Sequence, residues 1–196
     1  MSIPRIALFG GTFDPIHHGH LILARDAMEQ LCFDRVIFIP ASISPHKLAS
    51  RPAPGTLRLE MVRAAVADHP GFEVDDSELQ REGPSFTIDT VESTKARHPG
   101  SDLFYFIGHD NIAELPTWRR IAGLRALVQF VVFGRSDSSA AHNFPTLSRR
   151  VDISATEIRQ RVACGRSIRY LVPEPVCRII QQHQLYQEPT PSLPNI

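Results

Sequence analysis

Four short runs along the chain are almost continuously apolar: Ile6 to Phe9, Val36 to Ile39, Leu103 to Ile107 and Leu127 to Phe133. They are rich in Ile, Val and Phe, the residue types that suit extended, well-packed strands. A strand with one wet face alternates apolar and polar residues, whereas one covered on both faces has no reason to. Between the first two runs Leu21, Ala24, Ala27, Met28 and Leu31 recur at helical spacing. After the second run Leu57 to Ala67 repeats that pattern through Leu59, Val62, Ala65 and Val66. Buried strands alternating with amphipathic helices predict an α/β protein: a Rossmann-like, doubly wound, mainly parallel sheet with helices on both faces.

Two stretches break the alternation. Ala41 to Gly55 is rich in Pro, Ser and Ala, follows the second strand and is longer than a minimal connection, as ligand-serving loops often are. Gly134 to Arg150 is short and polar, and no chemistry is legible in it beyond Arg135. The pattern predicts one domain over residues 1–187 and a mobile tail over 188–196, where Pro189, Pro191 and Pro194 punctuate a polar end.

Charge narrows the partners. Twenty-one Lys plus Arg balance twenty-one Asp plus Glu in 196 residues, so no overall field draws the chain to nucleic acid or to an anionic membrane, and any anion site must be local. Cys32, Cys164 and Cys177 are odd in number and lack zinc or disulfide spacing. With no signal-peptide pattern and no membrane-length apolar run, a cytoplasmic protein is expected. The oligomeric state leaves no mark in the sequence.

The densest chemistry lies between the first strand and the first helix, in Phe9-Gly10-Gly11-Thr12-Phe13-Asp14-Pro15-Ile16-His17-His18-Gly19-His20-Leu21. In open α/β sheets ligands bind outside the carboxyl ends of the strands, where a following helix offers free N–H groups to phosphate. Gly10 and Gly11 would let the backbone approach an anion, and His17 and His20 would donate to its oxygens. The same histidines also fit simple helix-start residues, or a metal pair at i, i+3. A second cluster, Asp152-Ile153-Ser154-Ala155-Thr156-Glu157-Ile158-Arg159, has Ser154 and Glu157 at capping-box spacing and Ile153 and Ile158 placed as a hydrophobic staple. A helix starting at Ser154 would aim its N–H groups, the Thr156 hydroxyl and Arg159 at one point, suited to a polyphosphate. Good capping alone would account for the same residues.

Together, Gly-Gly-Thr-Phe-Asp-Pro-x-His-x-Gly-His and Ile-Ser-x-Thr-x-x-Arg resemble the signature pair of bacterial nicotinate-nucleotide adenylyltransferases. Pro45-His46-Lys47, Pro84-Ser85-Phe86-Thr87, Ile107-Gly108-His109-Asp110, Trp118 and Leu171-Val172-Pro173 follow in that family's order. Phe86 stands where the family commonly has Tyr, Ser44 where a second Pro is usual, and Arg119 where Tyr is frequent. The resemblance implies transfer of the adenylyl group of ATP to nicotinic acid mononucleotide, giving deamido-NAD and pyrophosphate. It implies catalytic roles for His17, His20 and Arg159. ATP would meet Gly10, Gly11, Thr12, Gly108, Asp110, Arg135, Ser154 and Thr156, and the acceptor His46, Lys47, Ser85, Thr87 and Trp118. Magnesium would be carried by the ATP phosphates, without a protein ligand. Nicotinamide mononucleotide and phosphopantetheine remain rival acceptors, and a nucleotide-binding regulatory module without chemistry is the rival of another class.

Overall fold

The computed structural model describes residues 3–42, 52–81, 83, 85–134 and 142–187. His46, Lys47, Arg135 and the expected tail lie outside the described residues. Six strands form one sheet in the order β3-β2-β1-β4-β5-β6: β1 (Arg5–Gly11), β2 (Arg35–Pro40), β3 (Phe72–Val74), β4 (Asp102–Gly108), β5 (Gln129–Gly134) and β6 (Thr146–Ser148). Every neighbouring pair runs parallel.

Side chains on successive strand residues point to opposite faces, so the apolar runs supply two cores at once. Ala7 and Phe9 of β1, Phe38 of β2 and Phe104 and Phe106 of β4 enter one core, with residues of α1 (His18–Gln30), α2 (Gly55–Val66), α5 (Ala155–Ala163) and α6 (Glu174–Gln182). Ile6 and Leu8, Ile37 and Ile39, and Leu103, Tyr105 and Ile107 enter the other, with residues of α3 (Thr87–Arg97) and α4 (Ile121–Leu127). Double coverage is the physical reason for the unbroken apolar runs, and the doubly wound expectation holds.

The fourth run needs correction. Leu127 closes α4 and Val128 caps it, so the strand begins only at Gln129. The pattern also did not disclose β3 and β6. Each spans three residues at a sheet edge, too few for a period to show. β6 lies inside the polar Gly134 to Arg150 stretch and buries Leu147.

The strand order places β1 beside both β2 and β4, although β4 comes much later in the chain. The chain therefore leaves the carboxyl ends of β1 and β4 in opposite directions, opening the crevice where such sheets take ligands. Gly10 and Gly11 end β1, and Gly108 ends β4, on that rim.

Candidate active site

From Gly11 the chain turns through Thr12 to Ile16 before α1 begins. This turn is sunk into the molecule. Phe13 and Ile16 are core residues, and Asp14 is only 8% exposed. Phe13 has φ +47°, a left-handed conformation that costs roughly 1–2 kcal/mol in a non-glycine residue, so its surroundings must hold it. Beneath the turn the side chain of Arg58, from α2, is 2% exposed. It donates to the carbonyls of Thr12 (2.7 Å), Ala53 (2.9 Å) and Ser42 (3.4 Å), joining three segments through one fork. Burial lowers its pKa, opposed by the charge of Asp14 and by Tyr186.

Asp14 is the second hub. Its Oδ1 accepts from the Ala53 N–H (3.1 Å) and the Tyr186 hydroxyl (2.7 Å). Its carbonyl accepts from Nη1 of Arg159 at 2.7 Å, and Oδ2 lies 3.8 Å from the same nitrogen. Nη2 of Arg159 donates to the Thr156 hydroxyl at 3.3 Å. Arg159 is in place because Ser154 caps α5, its Oγ accepting from the Glu157 N–H at 3.1 Å, which is the Ser154 half of the expected capping box. The two motifs, 145 residues apart, thus meet through one guanidinium.

The histidines sit at the start of α1. Nδ1 of His20 accepts from the His17 N–H at 3.3 Å, the part that Glu or Gln plays in a capping box. A neutral imidazole accepting at Nδ1 carries its proton at Nε2 and is a donor there. Phe9 and Phe13 flank the His20 ring edge-on, at 5.8 and 5.1 Å, and His17 stacks on it at 3.7 Å. His17 is 6% exposed, and its pKa is pushed down to about 4, by burial first and by His18 second. At neutral pH it is uncharged. Its Nδ1 is buried without a hydrogen-bond partner among the described residues. A Cβ at position 19 would stand 2.9 Å from that atom, so Gly19 is what lets the ring lie there.

A third group adjoins the turn from the other sheet face. A Cβ at Gly10 would overlap the Tyr105 hydroxyl, so this glycine serves packing as well as access. Tyr105 hydrogen-bonds with Thr87, and Trp118 stands edge-on to Tyr105 at 6.1 Å. Nε1 of Trp118 is buried and unpaired among the described residues. Ser85 accepts from the Ser42 N–H at 3.3 Å and bonds to the buried carboxyl of Glu78, whose pKa burial raises against the Thr90 and Ser85 hydrogen bonds. Ser85, Thr87 and Trp118 are therefore gathered around Tyr105 and the end of β2. Gly108 is exposed on the rim, and Asp110 is exposed in the 3₁₀ turn His109–Asn111 beyond it.

Arg58, Tyr186, Tyr105 and Glu78 were not singled out by the sequence, and Asp14 was quoted only as part of a motif. Arg58 did leave a signal: it shares helical spacing with Met61, Val62 and Ala65, so a cation stands on the buried stripe of α2. Nothing local marks Tyr186, which lies 172 residues from its partner.

Residues 8–161 match the model of the cytidylyltransferase-like family. A protein of Exiguobacterium sibiricum named probable nicotinate-nucleotide adenylyltransferase is 44% identical over 191 residues, spanning 93% of this chain and 98% of its own. A Bacillus pumilus protein of the same name is 40% identical over 186 residues, with the same coverage of 93% and 98%. The chain belongs to the nicotinate-nucleotide adenylyltransferase family.

Two solved structures of Plasmodium falciparum nicotinic acid mononucleotide adenylyltransferase share the fold. The one complexed with APC has a TM-score of 0.74 and the one complexed with NaAD 0.75, each at 16% identity over 94% of this chain and 98% of the other. In this adenylyltransferase the signature residues at the crevice rim come from the end of β1 and the starts of α1 and α5, tied together by Asp14, Arg58 and Arg159.

Proposed function

We propose that this chain transfers the adenylyl group of ATP to nicotinic acid mononucleotide, forming deamido-NAD and pyrophosphate. The observation that carries this reading is the hydrogen bond from Arg159 to the Asp14 carbonyl, which brings the start of α5 onto the turn that leads to His17 and His20. One run of phosphates can then span both helix starts. Both present the positive end of a helix dipole, although at α1 the His17 and His18 N–H groups are already taken, by Nδ1 of His20 and the Leu171 carbonyl.

An oxygen of the acceptor's phosphate attacks the α-phosphorus of ATP, the bond from that phosphorus to the α–β bridging oxygen breaks, and pyrophosphate leaves with the electron pair. The attacking oxygen is already ionised at neutral pH, so no general base and no covalent enzyme intermediate are needed. What remains is placement and charge stabilisation. His20, donating from Nε2, serves the α-phosphate with the backbone of Gly10, Gly11 and Thr12. His17, uncharged at neutral pH, can act there as an N–H donor and not as a cation. Ser154, Thr156 and Arg159 hold the departing pyrophosphate, Gly108 and Asp110 the nucleoside. Ser85, Thr87 and Trp118 shape the acceptor side, with Trp118 presenting a half-buried indole suited to a pyridine ring.

The donor set at this site suits magnesium held by phosphate oxygens and water: His17, His20, Thr156 and Arg159 offer no carboxylate pair, and among the described residues no three His, Cys, Asp or Glu side chains converge. When bound, the ion neutralises triphosphate charge and lowers the repulsion between two phosphate groups. No helix among the described residues is long and apolar enough to cross a membrane, and we place the reaction in the cytoplasm, where ATP is supplied.

Labelled ATP tests the chemistry. Phosphorus labelled at the α position should appear in the dinucleotide, and label at γ in pyrophosphate. Exchange of pyrophosphate into ATP with no acceptor or dinucleotide present would reveal an adenylyl-enzyme and overturn direct transfer.

A further inference from the structure

We propose that Tyr186 is a positioning residue for the transfer: its hydroxyl holds Asp14 in the orientation that keeps Arg159 aimed at the phosphate site. The inference rests on the phosphate role given to Arg159 above, and it adds the end of the chain to the machinery at the beginning.

α6 ends at Gln182, and the chain doubles back through hydrogen bonds from Gln184 N–H to the Gln181 carbonyl (3.2 Å) and Leu185 N–H to the Ile180 carbonyl (3.0 Å). Gln184 and Tyr186 have φ of +50° and +62°. Two non-glycine residues in the left-handed region within three positions persist only where contacts over-determine them. Packing accounts for part of this, since Leu185 and the Tyr186 ring lie against the core. It does not account for the phenol oxygen, which donates to Oδ1 of Asp14 at 2.7 Å.

Asp14 lies among two guanidinium groups and that phenol. Oδ1 takes two donors, the Ala53 N–H and the Tyr186 hydroxyl, which leaves Oδ2 toward Arg159 at 3.8 Å. That spacing is too long for a hydrogen bond, so Arg159 bonds to the Asp14 carbonyl instead and retains donors for a ligand. A carboxyl group turns easily about its last torsion. Without the phenol it can rotate into a two-pronged pair with Arg159, the arrangement these groups favour, and compete with phosphate for the same cation. Burial and the charge of Asp14 push the phenol's pKa up, so Tyr186 keeps its proton and remains a donor.

The test is a double-mutant cycle of Tyr186→Phe and Arg159→Ala, read as turnover with magnesium ATP and nicotinic acid mononucleotide, and as the dissociation constant of magnesium ATP. Phe keeps the ring in the core. We expect Tyr186→Phe to lower kcat/KM for ATP about tenfold in the native background, the loss that follows from one charge-assisted hydrogen bond. The KM for the acceptor should not move. In the Arg159→Ala background the same change should cost less than twofold, and ATP binding should follow the same pattern. Equal losses in both backgrounds would make Tyr186 a plain structural tether, and no loss in either would remove its role; both overturn the proposal. A native chain that binds magnesium ATP without transferring to this acceptor would sink the functional reading instead, while the binding arm of the cycle would still decide the case of Tyr186.

Discussion

His20 is fixed by its neighbours before any ligand arrives: Phe9 and Phe13 meet it edge-on, His17 stacks on it, and the His17 N–H occupies its Nδ1. A pre-set donor of this kind acts mainly on the transition state, so His20→Ala should lower turnover by roughly 10² to 10³ with little change in thermal midpoint. Steady-state kinetics beside a melting curve checks both, and near-normal turnover would remove His20 from the mechanism. His17 makes a separate prediction. Its folded pKa, about 4, lies below the ordinary 6.5, so between those pH values the unfolded chain takes up a proton that the folded chain refuses. The contribution of His17 to stability is therefore fully present above pH 6.5 and is lost as pH drops toward 4, by roughly 3 kcal/mol. Urea unfolding across that window should show a steeper loss for the native chain than for His17→Gln. At this scale the sequence showed which residue types cluster. It could not show that burial lowers the pKa of His17, because the start of α1 meets segments far along the chain, such as Leu171, whose carbonyl accepts from the His18 N–H at 2.9 Å.

Among the elements, α5 and α2 carry opposite lessons. The start of α5 was legible because a cap is local: Ser154 and Glu157 lie within one turn, and Ser154 accepts from the Glu157 N–H. Ser154→Ala should cost about 1 kcal/mol of stability, seen as a lower midpoint in chemical denaturation, and should weaken ATP binding by loosening the helix that bears Arg159. The apolar face of α2 was legible as well, but Arg58 within it was not assigned a task. Its three carbonyl partners come from residues 12, 42 and 53, brought together only by the fold. Arg58→Met would leave those half-buried carbonyls without their donor and Asp14 with one cation fewer, and we expect a loss of about 3 kcal/mol or more. A Met variant as stable as the native chain would contradict the hub role. The edge strands β3 and β6 were illegible for a different reason: three-residue strands draw their stability from the pairing partner and not from their own pattern.

For the molecule as a whole, the sheet was readable because double burial writes itself into long apolar runs, and the ligand edge followed from where the Gly-His turn stood relative to the first run. The strand order was not readable, since hydrophobic pattern is silent on which strand lies beside β1. That order brings Tyr105 of β4 against Gly10 and so ties Thr87 and Trp118 to the phosphate turn. The same closeness supports the proposed acceptor: an indole and two hydroxyl residues gathered around Tyr105 and the end of β2 suit an aromatic nucleotide better than a flexible pantetheine arm. The most direct test is pyrophosphate release from magnesium ATP by the purified chain, with nicotinic acid mononucleotide, nicotinamide mononucleotide and phosphopantetheine offered separately. We predict rapid release with the first and at least tenfold lower kcat/KM with the others, a preference worth about 1.4 kcal/mol or more. Faster release with either rival, or ATP binding with no release at all, would contradict the assignment.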